Sequence, residues 1–363
     1  MSSERHYLKY FILIFLSIIH LPVIAKVTLA VSNAQSGPAA NLGIDLNKGA
    51  QLYFNSINDI DIELAVKDDG YEPDKTVFNT RMFYSDGQQL FFNYVGTPTT
   101  KSVFNFLNAK HLPLITPFTG ADFLRAHSAQ NVFNLRASYE QEAMSQVKYL
   151  VEQLKLKNIA IIIQADDFGL AFEKYFIRAL TKKKLRPTFV SRFKRNTLQI
   201  EKAVGHLRAS NAQAVLFVGT YEPMAALIKQ TTVNKPEMIF ASVSFVSSLA
   251  LQKRISSNTK LLVSEVVPNP NTCQFEECKK LRKLNKHQPL SHGVLEGYLN
   301  AKWLLPALTA CEKQSSIKSC VANYLTKNRI HLLGKERHFE QSNRQVLNQI
   351  YFTVMNLPKP INY

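Results

Sequence analysis

Residues 90–120, LFFNYVGTPTTKSVFNFLNAKHLPLITPFTG, read as strand, tight turn, helix, strand, tight turn. The apolar run 90–95 ends in Gly96, and Pro98, Thr99 and Thr100 open a predicted helix through Leu107. A second apolar run, 113–115, ends in Thr116-Pro117-Phe118-Thr119-Gly120. Threonine at a helix start can cap free backbone N–H groups. The same groups, with the helix dipole, can instead hold a carboxylate or phosphate. Ligands of parallel α/β sheets sit at such carboxyl ends of strands. Capping explains any one of these threonines; two such turns in succession predict one edge of a pocket.

Outward from this stretch the alternation continues in both directions. Before it come strands expected at 27–32 and 62–67, with an amphipathic helix at 41–57 that places Leu46, Ala50, Tyr53, Phe54 and Ile57 on one face. A helix opened by Pro73 should stop before Gly87. After it, 132–137 reads as extended and 139–154 as helical. A second series then begins with IAIIIQ at 159–164, a continuous apolar run suited to a strand covered on both faces. Strands are expected again at 188–193, 214–219, 238–242 and 261–267, with helices at 168–181, 197–210 and 222–230. Two series of βαβ units predict two lobes, each with its own parallel sheet. In the tail, 269–285 reads as a polar basic loop, 292–310 and 315–327 as helices, and 345–355 as an edge strand.

The 363 residues exceed what one small core requires and suit two domains. The net charge of +17 becomes +16 without residues 1–25, which hold Arg5, Lys9 and Glu4. An acidic ligand, an anionic membrane or nucleic acid would each suit that balance. A solvated basic surface is the reading taken here, with no nucleic-acid partner. Arg5 and Lys9, the apolar run 10–19 and Pro22-Val23-Ile24-Ala25 follow the order of a secretory signal, with cleavage expected after Ala25 and export to the periplasm. Export permits disulfides. The four cysteines allow three pairings, of which the local pairs Cys273–Cys278 and Cys311–Cys320 are expected, each stapling a polar loop. Neither spacing matches a zinc knuckle, so no metal is expected. HExxH, GxSxG, P-loop and GxGxxG patterns are absent, so neither enzymatic activity nor a cofactor is expected.

The segments SGPAANLGIDLNKGAQLYFNSIN, IELAVKDDGYEPDKT, LPLITPFTG, IAIIIQADDFG and VLFVGTYEPMAALIKQ, in that order, resemble type I periplasmic solute-binding proteins. Among these the resemblance is to the leucine/branched-chain amino-acid-binding group of ABC importers. It implies an α/β fold of two doubly wound parallel-sheet lobes joined by three crossovers, near 136–138, 264–267 and 330–345. The lobes would then comprise 26–137 with 267–330, and 138–266 with 331–356.

The resemblance also implies a pocket. Thr97, Thr99 and Thr100 fall where the family holds the ligand carboxylate, and Thr119 and Gly120 where it serves the ammonium. Phe168 and Tyr221 fall at pocket aromatics. The family's acidic partner of the amino group is replaced by Ser244, and an aromatic beside the Gly-Pro turn by Leu42. An unpaired buried ammonium is costly, so the expected ligand has an acidic end and need not carry an amino group. Asp166 or Glu222 could restore the charge, although helix capping explains Asp166 equally. Glu296 reads as a packing residue and Arg136 as a hinge hydrogen bond. The expected function is capture of a small amino-acid-like or organic-acid ligand for an inner-membrane ABC permease, by a monomer. A sensory module feeding a membrane receptor is the alternative, and a hydrolase would need a nucleophile and base in the cleft.

Overall fold

The computed structural model describes residues 26–57 and 60–361; the expected signal and its cleavage point lie outside the described residues. The first lobe is built from β1 (Lys26–Asn33), α1 (Ala40–Phe54), β2 (Asp61–Asp68), α2 (Pro73–Ser85), β3 (Phe91–Phe92), α3 (Thr97–Ala109), β4 (Leu114–Ile115) and β5 (Val132–Phe133). Its sheet runs β2-β1-β3-β4-β5, all parallel. The strands expected at 90–95 and 113–115 are two residues each. Asn93 and Thr116 explain the shortness of the first and the sharp end of the second, because both take left-handed backbone (φ 53° and 50°) that ends a ladder. Asn93 Oδ1 accepts hydrogen bonds from Thr116 and from Asn300, both at 2.8 Å, which holds the two strand ends together.

The second lobe holds α4 (Tyr139–Lys148), β6 (Ile159–Gln164), α5 (Asp167–Lys182), β7 (Val190–Phe193), α6 (Glu201–Ala209), β8 (Ala214–Val218), α7 (Tyr221–Thr232), β9 (Ile239–Ser242), the short α8 (Ser248–Gln252) and β10 (Lys260–Glu265). The helix expected through 154 ends in a π-helical turn, Tyr149–Gln153. The sheet order is β13-β10-β9-β8-β6-β7, where β13 (Tyr351–Met355) pairs antiparallel with β10 and the rest are parallel. All six residues of β6 are buried, as a strand covered on both faces requires.

Three helices return to the first lobe: α9 (Glu276–Leu284), α10 (His292–Cys311) and α11 (Ile317–Lys327). α9 falls in the stretch read as a loop. Its buried face is only Glu277, Cys278 and Leu281, too thin an apolar stripe to show against nine mostly charged residues. The α10–α1 contact is close because Gly49 and Gly297 let the backbones approach; a Cβ on Gly297 would lie 2.0 Å from the Leu46 carbonyl oxygen.

The third crossover departs from expectation. A hairpin of β11 (Ile330–Leu332) and β12 (Lys335–Arg337) follows α11, and Leu332, Leu333, Phe339, Val346, Leu347 and Ile350 pack in the first lobe's core. Val346 and Leu347 also donate backbone bonds to Asn134 and Leu135 carbonyls at 3.1 and 2.8 Å. The segment 331–350 therefore belongs with the first lobe, and the chain crosses to the second only at 350–351. The edge strand expected from 345 begins at Tyr351 for the same reason.

Candidate ligand site between the lobes

α3 starts at Thr97 behind Gly96, whose φ of 103° and near contact with Tyr71 leave no room for a side chain; a Cβ there would sit 2.2 Å from the Tyr71 ring. No side chain caps this helix. Thr97 and Thr119 instead form a closed hydroxyl triangle with Tyr139: 2.8 Å between the threonines, 3.0 and 2.9 Å from each to the Tyr139 hydroxyl. Thr99 turns into its own helix and donates to the carbonyls of Val95 and Gly96 at 2.5 and 3.0 Å. The Thr100 hydroxyl is buried without a partner. Gly120 lies flat against Tyr139, accepting a bond from its backbone N–H at 3.0 Å. The two turns are thus side by side, and three of their expected site residues meet at Tyr139.

Across the cleft, Phe168 packs 5.6 Å from the Tyr139 ring and 4.6 Å from Phe245. Phe245 in turn reaches Tyr71 and Phe118 of the first lobe, at 5.6 and 5.8 Å between ring centres. These rings share one hydrophobic cluster with Leu42, so the interior of the cleft is occupied by the chain's own side chains. Asp166 is a helix cap: its Oδ1 accepts from the N–H groups of Phe168 and Gly169, both at 3.1 Å. The capping reading of Asp166 therefore holds.

Ser244 stands within an ion cluster. Its N–H and hydroxyl donate to Glu142 at 2.9 and 3.0 Å, and Ser264 donates to the same carboxylate at 2.7 Å. Arg136 donates to the Ser244 hydroxyl, lies 3.9 Å from Glu142 and 3.5 Å from Glu296, and covers the Phe118 ring at 4.1 Å. Arg136, Glu142 and Glu296 are all at most 3% exposed. Burial raises the carboxyl pKa of Glu142, against the pull of Arg136. It lifts Glu296 to about 7, again opposed by Arg136. A carboxyl group, that of Glu142, thus lies one hydrogen bond behind position 244. Glu142 was missed because it reads as a helix-surface residue. Its signal is spacing: Tyr139, Glu142, Ala143, Gln146 and Val147 form one buried face of α4.

Tyr221 lies apart from this cluster, at the cleft mouth. Its ring is stacked under the Arg254 guanidinium at 4.6 Å and its hydroxyl donates to Glu222 at 3.1 Å. The lobes are also drawn together by Arg195 and Asn196 on Glu72, both at 2.6 Å, and by Lys101 on Asp167, also at 2.6 Å. In the first lobe, Cys273 and Cys278 have Cα atoms 6.1 Å apart, and Cys311 and Cys320 5.7 Å apart, both within disulfide reach. Among the described residues, no group of acidic, histidine or cysteine side chains could hold a metal ion, and no helix is long and apolar enough to cross a membrane.

Two parallel α/β lobes closed over a cleft lined from both sides define a two-lobed ligand-binding protein. A profile of the periplasmic binding protein family matches residues 26–358, and the chain belongs to that family. It is 22% identical over 327 residues to a Leu/Ile/Val-binding protein of Citrobacter freundii, covering 87% of each chain. With Leu/Ile/Val-binding protein homolog 3 of Brucella melitensis the identity is 24% over 212 residues, spanning 57% of this chain and 58% of that protein. Among solved structures it is similar to a possible leucine/isoleucine/valine-binding protein from Rhodopirellula baltica. There the TM-score is 0.84 at 28% identity, covering 92% of this chain and 95% of that one. A substrate-binding periplasmic protein from Ralstonia solanacearum gives 0.83 at 27%, covering 90% and 97%. The family binds substrates and is not one of enzymes.

Proposed function

We propose that this protein captures a small organic acid or amino-acid-like ligand between its lobes in the periplasm and delivers it to an ABC importer. The observation that carries the reading is the convergence on Arg136. One guanidinium on the first crossover touches Ser244 and Glu142 of the second lobe and Phe118 and Glu296 of the first. Opening and closing must remake those contacts, which ties cleft chemistry to lobe movement. In this reading Thr97, Thr119, Gly120, Phe168 and Ser244 form the ligand wall, with Thr99 and Thr100 shaping the helix start behind it and Tyr221 at the mouth. Glu142 and Glu296 stand behind Ser244 and Arg136, so the loss of a carboxyl at position 244 does not by itself exclude an amino-acid-like ligand. The names of the Citrobacter and Brucella relatives support that breadth.

The test is a thermal-shift screen of the exported chain against amino acids and organic acids, since binding to the folded state raises its stability with the logarithm of ligand excess. A true ligand should also be bound about 1–3 kcal/mol more weakly by a Thr97→Val, Thr119→Val variant, the cost of hydrogen bonds to a charged group left unmade. Uptake of that ligand by cells should be lost when the gene is deleted. A screen without any stabilising compound, or uptake unchanged by deletion, would refute the assignment.

A further inference from the structure

The cleft mouth holds a cavity of about 340 Å³, within the range of small-molecule sites. Asp45 and Lys48 of α1 and Ser291 before α10 line it from the first lobe; Tyr221, Lys253 and Arg254 line it from the second. Asp45 is already engaged, accepting a hydrogen bond from the Ser291 hydroxyl at 2.6 Å. Glu222 lies 3.9 Å from Arg254. Among the described residues, Lys48 and Lys253 make neither a hydrogen bond nor a close ion pair, though both feel the Asp45 carboxylate, while Arg254 lies over the Tyr221 ring. A guanidinium over a ring keeps its N–H edge turned outward to carboxylates, and Glu222 occupies only one corner of the Arg254 edge.

The distribution of charge between the lobes matters more than its sum. Lys48 is on one lobe and Lys253 with Arg254 on the other, so closing the cleft brings these cations toward each other, an approach that Asp45, which attracts both lysines, offsets in part. The cationic charge left over by Asp45 and Glu222 opposes closure, and an added anion between the lobes reverses its sign. We infer that this cavity binds the carboxylates of a small organic dianion, gripped by Lys48 from one lobe and by Lys253 and Arg254 from the other. The inference rests on the reading that ligand is held between the lobes, moves the carboxylate contacts to the mouth, where Tyr221 alone of the proposed ligand residues lines the cavity, and narrows the class from organic or amino acids in general to dicarboxylates. A zwitterion with an apolar side chain brings no net charge to offset the cationic excess that Asp45 and Glu222 leave.

The experiment is titration calorimetry on the exported chain with succinate, citrate, leucine and benzoate as probes, at low and high salt. Succinate or citrate should bind, at least tenfold more weakly in Lys253→Gln, Arg254→Gln and progressively more weakly as salt rises. Lys182→Gln, which removes an exposed cation elsewhere, should leave the affinity as it was. Dicarboxylate binding that survives the double substitution would overturn the cavity assignment while leaving capture between the lobes intact. Leucine or benzoate binding more tightly than both dicarboxylates would overturn the ligand class but not capture. If none of the four binds, the dicarboxylate inference falls, and the broader thermal-shift screen decides capture separately.

Discussion

The Arg136 guanidinium lies 3.5 Å from the Glu296 carboxylate, and both side chains are buried at the junction of the lobes. Glu142 and Glu296 thus share one cation, and that cation belongs to the crossover itself. Removing one member of a buried charge set costs more than the set contributes, because the partners stay buried and uncompensated. Arg136→Met should lower unfolding free energy by about 3–5 kcal/mol. Adding Glu296→Gln to it should recover part of that loss. Urea denaturation of the two variants checks this; a single variant within 1 kcal/mol of wild type, an order-of-magnitude threshold for an ordinary exposed pair, would rule out the cluster as a structural centre.

Gly120 is the second position where the site tolerates no change. A Cβ would fall 2.5 Å from Tyr139 Cδ1 and 2.6 Å from its backbone nitrogen, and the backbone cannot swing aside. Gly120→Ala should cost about 1–3 kcal/mol as overpacking and displace Tyr139 from Thr97 and Thr119. Thermal unfolding reads the first effect. Loss of protection at the slow-exchanging amides around Thr119 reads the second.

How much of this was legible in the sequence depended on whether a segment's partners are local. The buried strand 159–164 was readable because an unbroken apolar run states its own environment. The two threonine turns were readable from Pro and Gly punctuation, and they do lie together. Their shared partner Tyr139 was not, since it arrives from α4, 42 residues beyond Thr97. Phe245 was unreadable for a related reason: its neighbours Tyr71, Phe118 and Phe168 come from three distant segments. The 331–350 segment was misassigned because its apolar residues name no lobe, and only Val346 and Leu347 pairing with Asn134 and Leu135 decides the matter.

The contacts of Glu72 with the second lobe give it the place of a latch. Glu72 accepts from Arg195 and Asn196 across the cleft, in a partly exposed setting where such pairs contribute modestly. Glu72→Ala should favour opening by about 1 kcal/mol, roughly a fivefold change in the open-to-closed ratio. Small-angle scattering without ligand should then show a larger radius of gyration. An unchanged scattering curve would remove the latch role.

Both cysteine pairs close short loops, five and nine residues apart in sequence. Non-reducing peptide mapping of exported protein should link Cys273 to Cys278 and Cys311 to Cys320. Each bond should add about 2–3 kcal/mol of stability, the chain-entropy value for loops this short. Four free thiols, or a bond joining the two loops, would contradict the pairing.

The pH dependence follows from a second pair at the junction, the buried Glu265 of β10 and the partly exposed His292 of α10, with Nδ1 3.2 Å from the carboxylate. Burial lifts Glu265 to about 8, with Glu142 adding to the rise and Ser248, Thr353 and Arg136 opposing it. Burial lowers His292 to about 3. Between pH 4.5 and about 8, folded Glu265 keeps a proton that the unfolded chain releases, so its contribution is complete below 4.5 and is lost as pH rises through 8. Glu296 behaves alike up to about 7. His292 has the opposite sign: its contribution is complete above 6.5 and is lost as pH falls toward 3. Above pH 6.5 the carboxyls therefore act without opposition from His292, and stability should fall from pH 6.5 to 8. Urea midpoints at intervals across that range give the slope. Glu265→Gln, which keeps an acceptor for Thr353 and cannot ionise, should flatten it. A wild-type midpoint that rises over this range, or a slope that Glu265→Gln leaves intact, would show that these carboxyls do not hold their protons in the folded chain.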